Sequence, residues 1–169
     1  LRETPEVLEF VRTWSSYGFG SVLLFLAFGT ILTLVLQSSS ATMAITLIML
    51  SMGWIPFNMA CAMVLGENIG TTITANIAAS IGNTQAKRAA LSHTIFNVFG
   101  VAWALALYNP FLNFVGVITE NMFGLPNPAA EGFAVTDTGA EEGTAALYGL
   151  SMLHTLFNTI NTCILIWFI

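Results

Sequence analysis

Hydrophobic positions fall in long, nearly uncharged blocks, and polar residues interrupt those blocks at only a few places. Near the N-terminus, Thr4-Pro5-Glu6 reads as a helix start: a capping hydroxyl, a proline in the first turn, then an acid. Val7, Leu8, Phe10, Val11 and Trp14 follow at helical spacing. This predicts a short amphipathic helix over 4–15 lying at an interface, within a segment 1–17. Residues 18–36 predict an apolar helix roughly 28 Å long, nearly enough to span a bilayer. The next apolar run, 41–54, is too short to cross alone, and Gly53-Trp54-Ile55-Pro56 breaks it. Between the two lies Gln37-Ser38-Ser39-Ser40. A polar tip between a long arm and a short one predicts a re-entrant hairpin over 18–54. The alternative, two ordinary spans joined by a loop, is disfavoured by the short second arm.

A second interruption falls inside the apolar stretch 57–81, at Gly66-Glu67-Asn68-Ile69-Gly70-Thr71-Thr72. Two glycines four apart, with an acid, an amide and hydroxyls around them, make a poor continuous helix. The expectation is a broken helix within 55–82, with halves at 57–65 and 71–81 and with Gly66 and Gly70 as the structural breaks. Non-helical backbone at membrane depth is tolerated only where protein or a cavity surrounds it. Asn83 to Arg88 then predict a polar loop before a span over 89–108, which Asn109-Pro110 ends. Residues 111–124 are amphipathic and suit an interface. Residues 125–143 form an acidic Pro/Gly-rich loop, and 145–168 span back. The units are therefore 83–108, 109–144 and 145–169 after the broken helix.

Composition strengthens the membrane reading. Of 169 residues, 56% are hydrophobic and only 8% are charged, against about a quarter in soluble domains. The fold class expected is an all-α, integral, multi-pass membrane protein. Lys87 and Arg88 are the only adjacent basic pair, so the positive-inside rule places their loop in the cytoplasm. Alternation from that loop places the acidic loop 125–143 outside, and the absence of Lys or Arg from 109–144, where Glu120, Glu131, Asp137, Glu141 and Glu142 cluster, agrees. The first residue is not Met and no signal peptide is visible, which suggests a fragment or a processed chain. Cys61 and Cys163 lie in apolar runs and read as packing residues. Nothing in the composition points to nucleic acid or to a cofactor.

The chemistry concentrates at the two interruptions. A helix beginning near Ala41 offers unbonded N–H groups and a partial positive charge. Beside them Ser38, Ser39 and Ser40 supply hydroxyl donors, so an anion can be held although no basic residue lies between Arg12 and Lys87. The second interruption offers the complement: carbonyl oxygens at a helix end, Asn68, Thr71 and Thr72, which suit a hard cation. Two such elements fit a sodium-coupled anion transporter. Glu67 is the one acid or base between Arg12 and Lys87. It serves Na⁺ or a proton, or else it caps a broken helix end or pairs with a neighbouring hydroxyl. Gln37 is an ion or substrate ligand, or stabilises the tip. Gly29, Thr33 and Gln37 lie four apart, and Gly29 reads as a close-packing position. One motif repeats: His93-Thr94-Ile95-Phe96-Asn97 returns as His154-Thr155-Leu156-Phe157-Asn158. In each copy His and Asn share a helix face, which reads first as interhelical hydrogen bonding and second as a substrate or ion contact. Two histidines without a carboxylate at ligand spacing do not make a metal site.

These motifs resemble the sodium/phosphate cotransporter family, the type II group and its bacterial relatives. QSSSAT is followed by LGENIGTTIT, approached by GTILTLVLQSSSAT and trailed by KRAALSHTIFN and a later HTLFN. The resemblance covers roughly 18–108 and 145–168. It implies two inverted repeats, each with one QSSS and one glycine motif, of which this chain carries one, similar to the second, C-terminal repeat. The other repeat then comes from a missing part of the chain or from a second, antiparallel copy. The resemblance implies a Na⁺-driven phosphate symporter working by alternating access in a lipid membrane, the bacterial inner membrane. Phosphate would be held by Ser38, Ser39, Ser40, Thr71 and Thr72, and Na⁺ served by Gln37, Thr42, Asn68 and Glu67. Glu67 departs from the small residue that many members have. Two other classes stay open. One is an intramembrane lipid-phosphate phosphatase with a serine nucleophile and His93 or His154 as base. The other is a passive anion channel.

Overall fold

The computed structural model describes residues 9, 13–136 and 139–168. Most of the interfacial helix expected over 4–15 lies outside the described residues. The rest is helical: α1 (Phe19–Leu36), α2 (Ser39–Ser51), α3 (Phe57–Ser80), α4 (Thr84–Ala106), α5 (Tyr108–Phe123) and α6 (Ala140–Leu165), with a 3₁₀ turn at Ile166–Phe168 and no strand among the described residues. Helices α1 and α4 are long and apolar enough to cross a membrane. Large apolar side chains on both remain exposed, among them Phe28, Ile31 and Val35 on α1 and Leu91, Ile95 and Val98 on α4.

Each of Gln37 and Ser38 has a separate task in the turn between α1 and α2. Gln37 takes the left-handed conformation (φ 52°) that ends α1, the one non-glycine residue with positive φ among those described. Ser38 is extended and caps α2, its Oγ accepting from the backbone N–H of Ala41 at 3.2 Å. Reversal thus needs only two residues. The arms are tied by buried threonines: the hydroxyls of Thr33 and Thr42 lie 3.1 Å apart. Helix α2 has 13 residues, about 20 Å.

Helix α3 is the centre of the bundle and touches α1, α2, α4 and α6. Ala60 to Leu65 are fully buried. The expected break at 66–72 does not occur: α3 runs without interruption through Gly66 and Gly70. The two glycines serve contact instead. A Cβ on Gly66 would collide with the Leu26 carbonyl, and one on Gly70 would lie 2.6 Å from Thr33 Cβ. Gly29 answers from α1, where a Cβ would collide with the Met63 carbonyl, in keeping with its expected packing role. Backbone therefore packs on backbone, and Thr30 Oγ1 reaches the Gly66 carbonyl at 3.0 Å. The polar side chains that suggested a break are satisfied on the helix itself. Asn68 Nδ2 donates to the Val64 carbonyl (2.9 Å), Thr71 Oγ1 to that of Glu67 (2.8 Å) and Thr72 Oγ1 to that of Ile69 (2.7 Å). With no break, α3 exposes neither free carbonyls at 65 nor a new helix N-terminus at 71.

Two boundaries also shift. Asn83 caps α4, its Oδ1 accepting from Ala86 N at 2.9 Å, so Lys87 and Arg88 stand exposed within the first two turns of the helix rather than in a loop. Helix α6 begins at Ala140, with Glu141 and Glu142 in its first turn, where their charge complements the helix dipole. Helix α5 carries Pro110 in its first turn and ends at Gly124 (φ 65°). Tyr108 anchors it, its hydroxyl donating to the Asn58 carbonyl.

Helices α4 and α6 are locked in register by Asn161. Its Nδ2 donates to the Phe96 carbonyl at 2.8 Å, and its Oδ1 lies 3.4 Å from Trp103 Nε1. Gly100 makes room: a Cβ there would stand 2.6 Å from Asn161 Nδ2 and 2.7 Å from Phe157 Cζ.

Candidate functional site

The tip of α2, the polar face of α3 and both His/Asn motifs meet at one cavity of about 420 Å³. Helix α2 contributes Ser39 and Ser40, with Met43, Ala44 and Leu47 below them. Helix α3 contributes Glu67, Asn68 and Thr71. Helix α4 contributes His93, Phe96 and Asn97, and α6 contributes His154 and Asn158. The Asn161–Phe96 bond explains the last two groups: it aligns the turn holding His154 and Asn158 with the turn holding His93 and Asn97.

The donors lie at the start of α2. Ser38 Oγ occupies the Ala41 N–H, and the Thr42 N–H bonds to the Ser38 carbonyl. The N–H groups of Ser39 and Ser40 precede the intrahelical ladder and face outward with the positive end of the helix. The Ser40 hydroxyl lies 3.1 Å from that of Ser38.

Acceptors dominate the other walls. Asn68, Asn97 and Asn158 each spend the amide nitrogen on a carbonyl of their own helix, at 2.9, 3.1 and 2.8 Å. Each Oδ1 is thereby left for a ligand. Glu67 is 3% exposed and is the sole carboxylate on the cavity. Thr46 of α2 holds it, Oγ1 lying 3.0 Å from Glu67 Oε1. Thr46 in turn sits on the Thr42 carbonyl at 3.0 Å. A buried threonine ladder thus connects the tip to the acid. No Lys or Arg lines the cavity.

Of the nine predicted ligand positions, Ser39, Ser40, Glu67, Asn68 and Thr71 come together. The other four do not line the cavity. Gln37 is exposed at the turn, Ser38 is the cap, Thr42 is buried in the ladder and Thr72 is buried against its own helix. Sequence reasoning placed His93, Asn97, His154 and Asn158 chiefly in interhelical hydrogen bonds. Those bonds are instead made by Asn161 and by Asn76, whose Nδ2 reaches Thr94 Oγ1 at 2.5 Å. The signal for the cavity was present in the repetition of the motif itself. Thr46 was missed, because a threonine inside an apolar run carries no mark of the acid it supports.

A family model described as Na⁺/Pi-cotransporter matches residues 10–127. The chain belongs to this family, a class of membrane transport proteins. Among individual relatives, the uncharacterized protein YqeW of Bacillus subtilis (strain 168) is 40% identical over 104 residues, covering 62% of this chain and 32% of YqeW. The human sodium-dependent phosphate transport protein 2C is 38% identical over 100 residues, covering 54% of this chain and 17% of that protein. YjbB of Escherichia coli (strain K12), provisionally named for inorganic phosphate export, is 31% identical over 112 residues, covering 66% of this chain and 19% of YjbB. The matched segment thus spans a third or less of each of these relatives. No solved structure matches the chain.

Proposed function

We propose that this chain forms one repeat of a carrier that moves inorganic phosphate across a membrane together with Na⁺. The carrying observation is the convergence of the α2 tip, the α3 polar face and the two His/Asn motifs on one cavity. Phosphate sits at Ser39 and Ser40, where hydroxyls and helix N–H groups replace absent basic residues. Thr71 assists from α3. Na⁺ sits toward Glu67 and Asn68, where the free amide oxygens of Asn97 and Asn158 add ligands suited to a hard cation. The carboxylate offsets the cation's charge and keeps it near the anion.

Helices α1 and α2 form a re-entrant hairpin in this reading. The short second arm supports it, as does the place of Ser39 and Ser40 at a polar cavity. The cavity is open on one side and its serines are exposed. A second, inverted repeat, from the same polypeptide or from another copy, completes the enclosure, and the two halves alternate access. The relatives named for phosphate transport agree with this assignment. The phosphatase reading requires a serine paired with an imidazole, and neither histidine is hydrogen-bonded to a serine among the described residues.

Uptake of labelled phosphate by proteoliposomes holding the full-length protein tests the reading. An inward Na⁺ gradient should drive uptake and an equal K⁺ gradient should not. Release of free phosphate from a lipid phosphate, without any gradient, would overturn it in favour of the enzyme. Uptake that never exceeds equilibrium would favour the channel.

A further inference from the structure

Two imidazoles on the cavity have no task in the reading above. His93 of α4 and His154 of α6 both line it. Neither ring has a hydrogen-bond partner among the described residues, whereas each neighbouring asparagine is bonded to its own helix. The rings are brought to the cavity by an exact register, since Asn161 ties α6 to the Phe96 carbonyl beside Asn97. His93 is half-buried and His154 exposed, so both rings are open to a ligand, and from two helices they line the same space.

The charged and titratable groups facing that space can be stated for every element. Helix α2 presents none, α3 presents Glu67, α4 presents His93 and α6 presents His154. The imidazoles are therefore the only side chains there able to carry positive charge. Each ring can also donate and accept at once when neutral. That suits an oxyanion that carries both bare and protonated oxygens.

We propose that His93 and His154 contact the transported oxyanion directly, holding it from the α4 and α6 side of the cavity while Ser39 and Ser40 hold it from α2. The proposal rests on the phosphate reading above and adds two specificity-determining residues to it. Loss of a ring removes hydrogen bonds to the anion and leaves the Na⁺ ligands on α3 in place. The two substrates are therefore separated by the effect.

The test is phosphate uptake by the full-length protein in proteoliposomes under a fixed inward Na⁺ gradient, for the wild type, His93→Gln, His154→Gln and the double variant. Each single variant should raise the phosphate KM roughly five- to tenfold, and the double variant more. Maximal rate and the Na⁺ dependence at saturating phosphate should stay near wild type. A structural role would instead lower the maximal rate and leave KM unmoved. A second measurement needs no variant: phosphate should slow modification of both imidazoles by diethyl pyrocarbonate in Na⁺ medium, read by mass spectrometry at each residue. An unchanged KM in the double variant, or no protection by phosphate, overturns the proposal while leaving Na⁺-driven phosphate uptake by the wild type intact. If the wild type takes up no phosphate, the functional reading itself fails and the histidine proposal with it.

Discussion

Ser39 and Ser40 differ in kind from the residues just before them, although the four polar residues run together in the chain. Gln37 ends one helix and Ser38 starts the next, so of the four only Ser39 and Ser40 line the cavity. Replacing both by alanine should raise the phosphate KM at least tenfold, since about 1 kcal/mol is expected for each hydrogen bond lost. Ser38→Ala should act through stability, lowering it by about 1 kcal/mol as other lost caps do, with a small effect on KM. Steady-state uptake and thermal unfolding in detergent separate the two. Glu67→Gln keeps the shape and the Thr46 contact but removes the charge. It should weaken the apparent Na⁺ affinity more than the phosphate affinity, measured as uptake against Na⁺ concentration. Equal loss of both would place Glu67 in packing alone.

At the scale of elements, the α1–α3 contact depends on glycines where backbones meet. Gly66→Val should destabilise the fold by about 3 kcal/mol or more, because the added atoms meet only backbone, the Leu26 carbonyl and the Thr30 nitrogen, which cannot give way. Gly20→Ala, whose Cβ would meet nothing closer than Tyr17 Cβ at 3.8 Å, should be neutral or slightly stabilising. Unfolding midpoints in detergent check the pair. The same glycines explain where sequence reasoning succeeded and failed. The helices and the meeting of the serine turn with the Asn/Thr face of α3 follow from patterning, capping chemistry and motif resemblance, whereas the expected four-residue tip is a two-residue reversal at Gln37 and Ser38. The break at 66–72 was expected because glycine disfavours helix in isolation. Which helix would press against Gly66 and Gly70 is a long-range fact, absent from the local pattern. Back-bonding by Asn68, Thr71 and Thr72 was hidden for the same reason, since a polar run reads alike whether it ends a helix or satisfies itself upon one. The boundaries at Thr84 and Ala140 moved because polar first turns resemble loops when only hydropathy is read.

The whole molecule is a half-enclosed site. Four helices bring donors from α2, acceptors and a carboxylate from α3, and matched His/Asn turns from α4 and α6 to one space, while apolar faces of α1 and α4 turn outward. An anion and a cation that share such a cavity lower each other's electrostatic cost, so their binding is coupled, and the coupling is reciprocal. The most direct test is isothermal titration calorimetry of phosphate into the full-length protein, first in NaCl and then in choline chloride at equal ionic strength. Saturable binding in NaCl that weakens at least tenfold in choline chloride, and is lost in the Ser39→Ala/Ser40→Ala variant, is the predicted result. Phosphate binding that is indifferent to Na⁺ and survives loss of both serines would contradict the account.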